Sequence, residues 1–141
     1  MNALARLRAD LPLLAAALWW GSLSAIGFMA VPLLFAHIPT AAMAGAMAAQ
    51  LFQAQMWLSV GCTLALLVVS LPKDGSVGVN QAQAAIFFIV AGMLLALLIQ
   101  FGVAPRIVAR QNLRLWHGLG SAMYAAQWLC ALLTLLRVAR R

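Results

Sequence analysis

The chain has 141 residues, 66% of them hydrophobic and only 8% charged, and a soluble domain of this length cannot cover its core with so little polar surface. A soluble fold is excluded. The formal charge of +7 does not point to nucleic acid either, because the nine basic residues flank the apolar stretches as headgroup anchors and topology signals do, and no nucleic-acid-binding motif is present.

Charge spacing maps the membrane, since an Asp, Lys or Arg at the centre of a membrane helix costs roughly 2.5–3.5 kcal/mol. No Asp, Glu, Lys or Arg occurs from Leu11 to Pro72, from Gly75 to Pro105 or from Leu115 to Leu136. A hydrocarbon core about 30 Å thick needs about 20 helical residues. The first gap therefore holds two spans and the others one each. The expectation is an all-α, integral membrane four-helix bundle: a single domain with helices at about 11–36, 42–71, 81–104 and 115–136.

Helix one follows Arg6 and Arg8, and its apolar run to Ala36 outlasts the about 7–15 residues of a secretory signal, so it reads as a retained span. Pro32 should bend it or end it early. His37-Ile38-Pro39-Thr40 reads as a turn, with Thr40 capping helix two. That helix is long enough to tilt, or to hold its first turns around Met43 to Gln50 above the hydrocarbon. Pro72 to Asn80 is dense in turn formers. Pro105 either ends helix three or opens a new helix, and a basic stretch leads to helix four. The N-terminus, second loop and C-terminal tail carry six basic residues against three for the other two loops. This asymmetry places both termini in the cytoplasm, although the three arginines Arg106, Arg110 and Arg114 then fall on an exported loop.

The polar groups exclude several chemistries. The only acids, Asp10 and Asp74, lie at membrane edges. No carboxylate pair serves general acid and base catalysis, none orients a catalytic His and none carries protons through a span. Cys62 and Cys130 read as small packing residues, not a disulfide. Gln50, Gln53, Gln55, Gln100 and Gln127 should face the bundle or an interface, as interhelical hydrogen-bonding groups. Trp19, Trp20, Trp57 and Trp128 lie too deep for an interfacial belt and are expected between helices, or walling a lipophilic pocket.

Helix four carries two patterns. Gly118, Ala122, Ala126, Cys130 and Thr134 recur every four residues, a small-residue packing ridge. At a seven-residue spacing Arg110, His117 and Tyr124 share another stripe if the helix starts upstream of Arg110, with Ser121 and Trp128 beside it and Arg106 one turn above. Such a stripe would form a ligand-binding site in which the imidazole ligates a metal and the arginines pair with carboxylate or phosphate. The plainer alternative is arginines on lipid headgroups and His117 bonded to a backbone carbonyl. His37 falls on the same side as His117, so the two are candidate haem or copper ligands.

Trp20-Gly21, Pro32-Leu33-Leu34-Phe35, Ile38-Pro39, Ala44-Gly45 and Leu51-Phe52, followed by Pro105-Arg106, Ala109-Arg110, His117-Gly118 and Ser121, resemble a bacterial membrane-protein family of unknown function, domain of unknown function 4149. That family is similar to transmembrane protein 205. The resemblance covers nearly the whole chain, with Tyr124 standing where the family pattern has Asn. In plan the family is similar to copper-resistance D type four-helix modules and, more remotely, to a haem-associated protoporphyrinogen oxidase. This kinship implies metal or haem handling without implying a defined activity.

The resulting expectation is a multi-pass protein of the bacterial inner membrane. It acts as a non-enzymatic binding, transport-accessory or stress-tolerance component through Arg106, Arg110 and His117. The alternatives are a haem- or metal-dependent membrane oxidoreductase and a structural partner subunit associating through the helix-four ridge. The expected partners are the lipid bilayer and a second copy or another membrane protein, with no nucleic acid.

Overall fold

The computed structural model describes residues 3–70 and 79–140, with side chains at 9–69 and 83–140. Asp74, Lys73 and the turn formers expected between helices two and three lie outside the described residues. The described residues are helical throughout the spans and contain no strand. In chain order the helices are α1 (Ala3–Ala25), α2 (Val31–His37), α3 (Ala41–Ser70), α4 (Val79–Leu98), α5 (Ala104–Val108) and α6 (Leu113–Ala139). Four helical segments, Ala9–His37, Ala41–Val69, Gln83–Val108 and Leu113–Ala139, are long and apolar enough to cross a membrane. The four-helix membrane bundle is therefore observed.

The prolines do not end their spans. A wide π turn, Ile26–Ala30, joins α1 to α2, and a second, Ile99–Val103, joins α4 to α5. Pro32 and Pro105 follow as the second residues of α2 and α5. A proline ring collides with the carbonyl four residues back in a regular helix, and the widened turn relieves that crowding. The first span thus continues to His37 instead of stopping early. At the next turn the predicted cap is present, with Met43 N–H donating to Thr40 Oγ1 at 3.2 Å.

α1 packs on α3 and α6, and α4 packs on the same two helices, so α1 faces α4 and α3 faces α6 across the bundle axis. The apolar core on that axis contains Trp19, Leu23, Leu66, Ile89 and Ala131. Large apolar side chains such as Phe28, Val68, Phe87 and Phe101 point outward, as they can where the surrounding solvent is lipid.

The two halves of the chain repeat one another. Ile26-Gly27-Phe28-Met29-Ala30-Val31-Pro32 matches Ile99-Gln100-Phe101-Gly102-Val103-Ala104-Pro105 at the isoleucine, the phenylalanine and the proline, and both segments adopt the same π turn. Phe52 and Gln55 stand twelfth and fifteenth in α3, as Tyr124 and Gln127 do in α6. The α1–α2–α3 and α4–α5–α6 units thus occupy matching places in the bundle, each pair of equivalent long helices packing on the same two neighbours. In the same register Trp19 corresponds to Gly92, and the two meet: a Cβ added at Gly92 would lie 2.5 Å from Trp19 Cη2.

Candidate functional site

The third and fourth spans join at a sharp corner. α5 ends at Val108 and α6 begins at Leu113. Between them Arg110 (φ 54°) and Asn112 (φ 36°) take left-handed conformations, which asparagine tolerates better than arginine. Ala109 N–H donates to Pro105 O, Arg110 N–H to Ile107 O and Gln111 N–H to Arg106 O, at 2.9, 3.0 and 3.0 Å. The expected stripe of Arg110, His117 and Tyr124 required a helix continuous from upstream of Arg110. This corner interrupts it.

Three arginines flank or occupy the corner. Arg106, Arg110 and Arg114 are all exposed. Arg106 Nη1 donates to Gly102 O at 2.6 Å, and its guanidinium lies 4.5 Å from the centroid of the Trp116 ring, a cation–π contact that ties α5 to α6. The N-terminus of α6 opens here as well. The Asn112 carbonyl accepts from Leu115 and Trp116 N–H, but the Asn112 side chain forms no cap. That leaves the Leu113 and Arg114 N–H groups at the positive end of the helix dipole, and Arg114 adds a cation at the end that favours anions.

His117 and Ser121 are exposed on the first turns of α6. His37, exposed at the end of α2, holds Nδ1 3.0 Å from the Leu33 carbonyl oxygen, a contact that makes Nδ1 the protonated nitrogen and leaves Nε2 free. By connectivity both histidines belong to the same end of the bundle as the corner. Among the described residues no three His, Cys, Asp or Glu side chains come together, and Cys62 and Cys130 are free thiols.

Tyr124 belongs to the interior. Its hydroxyl donates to Leu23 O at 2.8 Å, its ring meets Phe52 edge-on with centroids 5.3 Å apart, and an added Cβ at Gly27 would lie 2.7 Å from it. The small-residue ridge divides: Gly118 and Ala122 are exposed, Ala126 and Cys130 half-buried and Thr134 buried. The buried face of α6 is Gln127, Ala131 and Thr134.

A polar centre that the sequence reading did not assemble lies on the bundle axis. Ser59 Oγ accepts from Gln127 Nε2 at 3.1 Å and from Gln55 Nε2 at 3.3 Å, joining the opposed helices α3 and α6. Gln55 Nε2 also donates to Ser22 Oγ at 3.0 Å, and Trp128 Nε1 donates to Ser24 Oγ at 2.8 Å. Beside this network Phe52, Gln55, Gln100, Tyr124 and Gln127 line a cavity of about 10 Å³, room for about one water. Gln55 is 3% exposed, and its Oε1 has no hydrogen-bond partner among the described residues. The signal in the sequence was the amides themselves, since Gln55, Gln100 and Gln127 sit inside apolar spans where a polar side chain needs a partner.

No curated protein and no solved structure matches the chain. The family model described as domain of unknown function (DUF4149) matches residues 14–115, the first three spans together with the arginine corner. By that match, which takes in most of the chain, this four-helix membrane protein belongs to the DUF4149 family.

Proposed function

We propose that the protein is a non-enzymatic binding component of the membrane that captures an anionic group, phosphate or carboxylate, at the α5–α6 corner. The observation that carries this reading is that three exposed arginines, Arg106, Arg110 and Arg114, fall within nine residues of chain around the uncapped N-terminus of α6. Guanidinium groups bind such oxygens in a planar fork, and the free N–H groups and dipole of the helix end favour the same charge. The described acid, Asp10, lies in the opposite half of its span, so it does not compete for the arginines. A sequence with two acidic residues also has little means of general acid and base catalysis, which favours binding over turnover.

In this reading the membrane is the bacterial inner membrane, the termini are cytoplasmic and the corner faces outward, as the distribution of basic residues implies. His117 contributes a hydrogen bond or a ligand nitrogen beside the arginines.

Calorimetric titration of the detergent-purified protein with inorganic phosphate, and flotation with vesicles of neutral or anionic lipid, separate a soluble anion from a headgroup. Saturable binding of either anion that Arg110→Lys weakens roughly tenfold, by loss of the planar fork, and that His117→Ala also weakens, supports the site. Binding unchanged in both variants, or no binding of either anion, removes it.

A further inference from the structure

Gln50, Gln53, Trp57 and Gly61 lie three and four residues apart along one outward stripe of α3. All four are exposed, Trp57 by 60%. The contrast with Gln55 is instructive. Gln55 and Gln127 turn inward and bond to Ser22 and Ser59, whereas Gln50, Gln53 and Trp57 are exposed on the outside of the bundle.

In a span centred on the hydrocarbon, Gln53 and Trp57 lie away from the water boundary. Their span runs Ala41–Val69, which at about 1.5 Å per residue places Gln53 about 18 Å and Trp57 about 24 Å along the helix from its start. The span exceeds what a hydrocarbon layer of about 30 Å requires, so a centred span holds Gln53 and Trp57 well inside the apolar layer. Lipid chains offer no hydrogen-bond partner there. The stripe therefore needs a protein surface that presents donors and acceptors at that depth.

A second copy of this chain supplies one. Every copy inserts in the same orientation, so Gln53 of one meets the identical amide of another at the same depth. An amide carries both donors and an acceptor and is its own complement. Gly61 permits close approach on the same face, since an added Cβ there meets nothing within 4 Å. The exposed part of the α6 ridge, Gly118 and Ala122, has small residues but no amide that requires a partner.

We infer that the α3 face carrying Gln50, Gln53 and Trp57 is a self-association surface that pairs two copies in parallel about a two-fold axis along the membrane normal.

Energy transfer between donor- and acceptor-labelled full-length protein, reconstituted in neutral phosphatidylcholine vesicles across a range of protein-to-lipid ratios, tests this pairing. Wild-type transfer should fall on lipid dilution with a monomer–dimer midpoint. Gln53→Leu, at an exposed position of α3, should move that midpoint to a roughly 3- to 30-fold higher protein density, the effect of one interhelical hydrogen bond. Gln53→Asn, which keeps the amide, should stay close to wild type, and so should Ala122→Leu on the α6 face. Absence of transfer at every ratio, an unmoved midpoint in Gln53→Leu, or a shift produced by Ala122→Leu in its place would overturn the inference.

Discussion

A methyl group at Gly92 would lie 2.5 Å from Trp19 Cη2, 2.6 Å from Trp19 Cζ2 and 3.3 Å from Cys130 Cβ. Trp19 is fully buried, so its ring can yield only by displacing packed neighbours. Gly92→Ala should therefore cost about 1–3 kcal/mol, the usual range for overpacking a close-packed core, read as a lowered melting temperature in detergent. Gly118→Ala serves as the control, because its added Cβ meets nothing within 4 Å; its melting temperature should hold or rise slightly, as alanine is the better helix former. The two glycines look alike in the sequence. So do Gln53 and Gln55, one exposed and one 3% exposed. In a soluble helix polarity marks the outer face, but in a membrane both the core and the surroundings are apolar, so the sequence carries no comparable periodic signal of facing. That is why Trp57, expected between helices with the other deep tryptophans, is found facing outward, and why Gly118 and Ala122 of the small-residue ridge lie exposed.

At the scale of elements, the spans themselves were legible because charged residues are kept out of hydrocarbon and mark its limits. Their ends were less so. Pro32 reads as a bend or an early stop and Pro105 as a stop or the opening of a new helix; each stands second in a short helix that follows a π turn, so the span runs on. A sequence shows the missing N–H of a proline but not the widened turn that accommodates its ring. A connection is expected between residues 104 and 115, but the left-handed geometry of the corner at residues 109–112 is not legible: Arg110 offers none of the usual signs of a left-handed residue, and Asn112 offers only one. Its conformation gives a direct test. With φ 36° at Asn112, a β-branched side chain is strained, so Asn112→Val should cost about 1–2 kcal/mol while Asn112→Gly should match or exceed wild-type stability. Differential scanning of the two variants in the same detergent would separate them. Equal melting temperatures would mean that the corner relaxes without its left-handed residue, and the placement of Arg110 and Arg114 around the α6 terminus would lose its basis.

For the molecule as a whole, four spans require that Thr40 and Asn112 emerge on one side of the membrane, whichever side that is. Single-cysteine reporters at these two positions, in a background lacking Cys62 and Cys130, should react alike with an impermeant maleimide, and both should react from outside if the termini are cytoplasmic. Opposite reactivity would contradict the bundle itself, and protection of both in intact cells would reverse its orientation. The architecture was readable from charge, whereas the convergence of its two halves was not, because the matching positions are sparse and partly unlike: Phe52 against Tyr124, Trp19 against Gly92. The last of these pairs bears on how the halves tell one another apart. Two tryptophans would collide on the axis and two glycines would leave it hollow, so each half completes only the other and not a duplicate of itself. The bundle is a mismatched couple, and its single large ring acts as a key that selects the chain's own second hairpin over another first one.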